Sequence, residues 1–288
     1  MNESTKASLE SYCNGAIDRR SFLARLIGIT GSMAAAHLLL ESTGLAQGVV
    51  GEQEAKRLNI VSQTIQYPAA DGAQISGALN IPEGEGQFPG IVVIHENRGL
   101  NDHTRDVARR FAAAGFVALA PDSLSRAGGT GSMASPDAAR AAITALSPEV
   151  AQADLNAALT YLNSHPKVRP GHLASIGFCW GGARSFLLAT QSDLLRAAVV
   201  FYGSAPPEEK LAKVRCPVLG IYGETDERIT SKVPAVAQAM QRAGKQFEYK
   251  IYPGAAHAFF NDTGERYHAE AAKDAWQQTL DYLKVHLR

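Results

Sequence analysis

The sequence predicts an α/β protein: a mostly parallel central sheet, an N-terminal antiparallel hairpin and helices on both faces. Three observations lead there. Continuous apolar runs such as Gly90-Ile91-Val92-Val93-Ile94 read as strands buried on both faces. These runs alternate with stretches of helical periodicity, the pattern of a parallel sheet. Upstream of them, apolar and polar residues alternate on either side of Asp71-Gly72, a turn dipeptide, which predicts a hairpin. With 45% apolar and 19% charged residues the chain can bury a sizeable core, which excludes disorder. The formal net charge of zero excludes the basic footprint of a nucleic-acid binder. Three cysteines are too few for a disulfide scaffold and lack the paired spacing of a zinc site.

The elements follow in order. Residues 1–46 stand apart from 47–288. They carry Arg19-Arg20-Ser21-Phe22-Leu23, a short weakly apolar run and a small residue at Ala46, the form of a twin-arginine export signal. The run is too short for a membrane anchor, which needs about 20 apolar residues. The expectation is an exported, periplasmic protein; the alternative is a cytoplasmic chain that retains the segment as a helix. An uncleaved product in the cytoplasmic fraction would exclude export. If the leader is removed, about one α/β domain remains.

An extended segment near Leu58 to Tyr67 leads to the Asp71-Gly72 turn. Ala73, Ile75, Gly77, Leu79 and Ile81 form the returning strand, and a Gly-rich loop spans Pro82 to Pro89. The strand 90–94 comes next. Asn101 to Ala114 reads as a helix capped at Asn101 or Asp102 and stopped by Gly115. Phe116 to Ala120 is a strand, stopped by Pro121. Pro148 to Ser164 is a helix with Leu155, Ala158, Leu159 and Leu162 on one face. Strands at 173–176, 197–202, 218–222 and 247–252 alternate with helices at 181–190, 231–243 and 268–286. In the last helix Ala272, Trp276, Leu280 and Leu283 share a face. In such sheets the site lies beyond the carboxyl ends of the strands.

Gly177-Phe178-Cys179-Trp180-Gly181-Gly182 stands at one of those ends, between strand and helix. Gly-x-Cys-x-Gly there is the pattern of a nucleophile elbow, in which flanking glycines allow close packing while the nucleophile projects upward. The Trp180 N–H can face a developing oxyanion, and the helix dipole is expected to lower the thiol pKa. A thiol nucleophile needs a histidine base steered by a carboxylate. Asp226 follows the strand ending at Tyr222, and His257 follows the strand ending at Tyr252. Glu224 and Asp262 are rivals for the acid. Cys13 lies in the leader. Cys216 lies at the opposite end of the sheet from Cys179, too far for a disulfide. His103, His165, His268 and His286 read as surface or cap residues. His95 is near the site but has no second histidine at ligand spacing, so no metal site is expected.

With these residues in place, the chain from about 58 to 288 resembles the dienelactone hydrolase family. The resemblance rests on Val92-Val93-Ile94-His95-Glu96, Ala120-Pro121-Asp122-Ser123-Leu124-Ser125-Arg126, Gly177 to Gly182, Tyr222-Gly223-Glu224-Thr225-Asp226 and Tyr252-Pro253-Gly254-Ala255-Ala256-His257-Ala258-Phe259. It implies an α/β-hydrolase fold with a Cys179–Asp226–His257 triad. It also implies that Glu96 holds the resting thiol and takes its proton as substrate binds. Backbone N–H groups of Asn97 and Trp180 would form the oxyanion hole, and Arg126 would bind a substrate carboxylate. Tyr202 and Phe259 join the substrate-binding set. Where dienelactone-specific members place a second carboxylate-binding arginine, this chain has Asn261, and Arg98 is positioned to compensate.

The expected activity is therefore hydrolysis of a carboxylic ester or lactone through a thioester on Cys179, of the carboxymethylenebutenolidase type. The expected partners are a small ester or lactone and, through residues 1–46, the export machinery. No metal, organic cofactor, nucleic acid or stable membrane anchor is expected. The alternatives are a broad carboxylesterase or thioesterase, and a non-catalytic binding protein on a hydrolase fold.

Overall fold

The computed structural model describes residues 3–13, 19–30 and 58–288. Strands β1 (Ile60–Pro68) and β2 (Gln74–Pro82) pair antiparallel. Their turn uses Gly72 at φ +86, and the Asp71 carboxylate accepts the Ala73 N–H at 3.1 Å. Then come β3 (Phe88–Ile94), β4 (Val117–Pro121), β5 (Val168–Phe178), β6 (Leu195–Phe201), β7 (Val218–Gly223) and β8 (Phe247–Tyr252). All eight form one sheet in the order β1-β2-β4-β3-β5-β6-β7-β8. β2 meets β4 antiparallel, and β3 to β8 run parallel. This is the α/β-hydrolase arrangement expected from the sequence.

Two helices lie in the N-terminal segment: α1 (Glu3–Cys13) and α2 (Arg19–Thr30), the latter opening on the paired arginines. Ala46, the expected end of the leader, lies outside the described residues. The helices of the main body are α3 (Asp102–Ala113), α4 (Pro136–Ala145), α5 (Pro148–Ser164), α6 (Trp180–Ala189), the short α7 (Glu208–Leu211) and α8 (Glu227–Thr230), α9 (Val233–Arg242) and α10 (Ala269–His286). Among the described residues no helix is long and apolar enough to cross a membrane.

The continuous apolar runs are explained by the layers. On β3, Ile91 and Val93 pack with Val107 and Phe111 of α3 and Ala272 and Leu283 of α10. Val92 and Ile94 face the other way, onto Leu155, Leu159 and Leu162 of α5 and Phe186 of α6. Successive residues of a strand point to opposite faces, so a run apolar at every position is needed when both faces are covered. Each such buried Leu or Phe contributes about 1.5–3 kcal/mol relative to exposure.

Some boundaries differ from expectation. β5 begins at Val168 rather than 173, because pairing with β3 reaches down to Phe88. The single helix expected over 231–243 is α9, preceded by the separate turn α8. α4 was not anticipated in the Gly, Ala and Ser-rich stretch after Arg126. Its signal was present: Ser135 caps it, accepting the Ala138 N–H at 3.1 Å, and Pro136 stands in its first turn.

Candidate active site

β5 delivers Cys179 to the sheet's carboxyl edge. The residue sits between β5 and α6 at φ 57, ψ −113, a left-handed backbone that costs a non-glycine residue about 1–3 kcal/mol. Packing enforces the turn. A Cβ on Gly177 would fall 2.0 Å from the Gly181 carbonyl oxygen, and one on Gly181 would fall 2.4 Å from those of Ile94 and His95. The Gly-x-Cys-x-Gly spacing is thus a steric requirement of three backbones meeting behind Cys179.

β7 and β8 deliver the other two residues. His257 Nδ1 lies 2.5 Å from Asp226 Oδ2. Asp226 stands at the N-cap position of α8 but makes no side-chain cap, which leaves its carboxylate for the imidazole. The rivals are engaged elsewhere. Glu224 accepts the Gly254 N–H at 2.8 Å and so holds the loop that carries the histidine. Asp262 is buried against Arg110 at 2.6 Å and His103 at 3.3 Å. With Asp106, which also pairs with Arg110, this cluster pins the loop beyond His257 to α3. His103 is therefore a buried partner of Asp262 and not a surface residue.

Cys179, His257, Glu96 and Asn97 line one cleft of about 750 Å³. The Glu96 carboxylate is held by two donors: the Tyr202 hydroxyl at 3.4 Å on Oε1 and the Asn261 amide at 3.1 Å on Oε2. Asn261, read from the sequence as the loss of an arginine, instead steers Glu96. Tyr202 also sets its ring against His257, 5.1 Å between centroids. It is buried, so it acts from beneath the cleft rather than from its wall.

Tyr202 is thus one of three substrate-binding expectations that are corrected; the others are Arg126 and Phe259. Arg126 does not line the cleft. Its guanidinium is held by Asp154 at 2.7 Å and Asp71 at 2.8 Å, tying the loop after β4 to α5 and the hairpin turn. Phe259 is fully buried among Tyr202, Phe201 and Tyr252 and belongs to the core. Arg98 does line the cleft, joined by Arg140 of α4 and Arg266, which the sequence reading had not singled out. Among the described residues no cluster of His, Cys, Asp and Glu could hold a metal ion.

The thiol also departs from expectation. Burial, and then the negative charge of Glu96, push Cys179 up to about 11, although the Trp180 N–H acts in the opposite direction. Both main causes disfavour the charged form, so the sign is upward. Desolvation outweighs the helix terminus, which favours the thiol form of Cys179 over the thiolate. At about pH 8 only about one part in a thousand would be thiolate. Alkylation of Cys179 by iodoacetamide should therefore be slow near neutral pH and rise roughly tenfold per pH unit up to about pH 10. Glu96→Gln should shift that profile to lower pH. A rate–pH profile read by mass spectrometry checks both, and fast labelling at neutral pH would refute the first.

The dienelactone hydrolase family model matches residues 75–287. A protein of Saccharolobus solfataricus named "Putative carboxymethylenebutenolidase" is 33% identical, over 75% of this chain and 95% of its own length. Among solved structures, a dienelactone hydrolase-like promiscuous phosphotriesterase from metagenomic libraries superposes with a TM-score of 0.70. It is 27% identical and covers 80% of this chain and 100% of its own.

Proposed function

Because the chain belongs to the dienelactone hydrolase family, we propose that it hydrolyses a small carboxylic ester or lactone through a thioester on Cys179. The observation that carries this reading is the His257–Asp226 pair at 2.5 Å, in one cleft with an elbow cysteine and Glu96. In the proposed sequence Glu96 takes the thiol proton as substrate enters, and the thiolate attacks the carbonyl carbon. The Asn97 and Trp180 N–H groups hold the oxyanion. When the C–O bond breaks, the proton that Glu96 took passes through His257 Nε2 to the leaving oxygen. Neutral His257 then takes a proton from water and hydroxide adds to the thioester; as the C–S bond breaks the acid leaves and the imidazolium returns its proton to the Cys179 thiolate. Asp226 holds the imidazole in the tautomer both steps need.

The test is a single turnover of an activated ester, quenched in acid and read by mass spectrometry. An acyl adduct on the Cys179 peptide is expected; an adduct elsewhere would overturn the reading.

Arg98, Arg140 and Arg266 on the cleft wall support a substrate that bears a carboxylate beside its ester. Arg98→Ala should raise KM for such an ester about tenfold and leave a neutral ester of the same size unaffected. Arg126→Ala should leave both KM values alone and lower Tm by a few degrees, since it loses two ion pairs. Equal KM increases for the neutral and charged esters in Arg98→Ala would remove the anionic-substrate assignment. The Arg19-Arg20 leader supports export of the enzyme to the periplasm, with a cytoplasmic enzyme as the alternative.

A further inference from the structure

His95 follows the last residue of β3, and its side chain is buried. Its ring makes three contacts. Nε2 accepts the Ser123 backbone N–H at 3.1 Å. That contact assigns the tautomer: with Nε2 bare, the proton sits on Nδ1. Nδ1 lies 2.6 Å from the Glu96 carbonyl oxygen and donates to it. The ring face stacks on Trp180, with centroids 5.4 Å apart and planes within 9°. Burial lowers the imidazole pKa, which keeps the ring neutral with a single donor.

The described chain has no cis peptide bonds. In a trans peptide the carbonyl and the following N–H point in opposite directions. The carbonyl that His95 holds shares its peptide plane with the N–H of Asn97. Fixing one end therefore aims the other away from His95, and Asn97 lines the cleft. Trp180, on which the same ring stacks, carries the second oxyanion donor.

We propose that His95 is a positioning residue that sets both halves of the oxyanion hole before substrate arrives. The inference rests on the hydrolase reading above. Without the Nδ1–H bond the 96–97 peptide is free to rotate. It would then turn a carbonyl oxygen toward the place where negative charge develops, which repels rather than stabilises. Ser123 extends the constraint. The Asp122 carboxylate accepts the N–H groups of Leu124 and Thr130 and the Thr130 hydroxyl. Thr130 Oγ1 in turn accepts the Leu100 N–H at 2.9 Å. A Cβ on Gly99 would fall 2.2 Å from that Oγ1. The loop after β4 thus grips the oxyanion loop at both ends.

The test compares two reactions of one sulfur. Hydrolysis develops an oxyanion, whereas alkylation by iodoacetamide does not. His95→Phe keeps the ring and its stack on Trp180 but removes the donor. It should lower kcat for an activated ester about 10²-fold, with KM within about threefold. Alkylation of Cys179 at a fixed alkaline pH should change by less than about threefold. His95→Asn, which returns an N–H close to the Nδ1 position, should recover at least about tenfold of the lost kcat. Undiminished kcat in His95→Phe overturns the proposal. So does a parallel fall in alkylation, which would make His95 a general support of the site, or an Asn variant no better than Phe. A wild-type protein that hydrolyses no ester would overturn the hydrolase reading itself, and a Cys179→Ala variant as active as wild type would overturn its cysteine mechanism.

Discussion

Cys179→Ala should reduce ester hydrolysis by at least about 10⁴-fold and abolish the acyl adduct. The size follows from what remains. The cleft, the proposed oxyanion donors and the His257–Asp226 pair survive the substitution, and such remnants supply about 10³–10⁴-fold over water in enzymes with a nucleophile–histidine–acid triad. The nucleophile's own share is therefore lost in full. The substitution is clean because alanine meets the same backbone demand as cysteine at φ 57 and removes only a sulfur at the cleft. Tm should stay within a few degrees of wild type, so the lost rate reads chemistry and not folding. Progress curves with an activated aryl ester measure it. A variant within tenfold of wild type would mean that another group attacks the carbonyl.

Asp226→Asn is expected to lower kcat about 10³–10⁴-fold with little change in KM. The cause is the proton on the imidazole. Asp226 Oδ2 accepts from Nδ1 and leaves Nε2 bare to act as base. An asparagine amide turned toward Nδ1 would donate instead, moving the ring proton to Nε2, where it blocks proton transfer at the cleft. Glu224→Gln is the control, because its oxygen can still accept the Gly254 N–H. It should keep kcat within about threefold of wild type. If both variants lost activity equally, the loop as a whole would matter and not the acid on the histidine.

How far the sequence announces this site depends on how local each cause is. The sheet was legible because burial on two faces leaves an apolar residue at every strand position, as in 90–94. The elbow was legible because its steric demand falls on glycines two residues to either side of Cys179. The pairing of Asp226 with His257 was legible because both residues stand just past strand ends. Arg126 was misread because its partners, Asp154 and Asp71, come from other parts of the chain, and nothing near residue 126 points to them. The thiol was misread for a related reason. The helix terminus that lowers its pKa is adjacent in sequence, but the burial and the Glu96 charge that prevail arrive through the fold. Arg140 was missed with α4, where a Ser135-Pro136 cap was hidden in a loop-like composition. Asn261 carried no motif of its own, and only its contact with Glu96 gives it a part.

The elbow has a bearing on how this chemistry could change over evolutionary time. The crowding falls on positions 177 and 181, where even a methyl group would collide with backbone. Position 179 carries no such restriction, since its side chain leaves the crowd for the open cleft. The scaffold therefore behaves as a rigid socket with an exchangeable tip. A lineage could trade sulfur for oxygen at the tip in one substitution without repacking anything behind it. Its flanking glycines would stay locked under either chemistry.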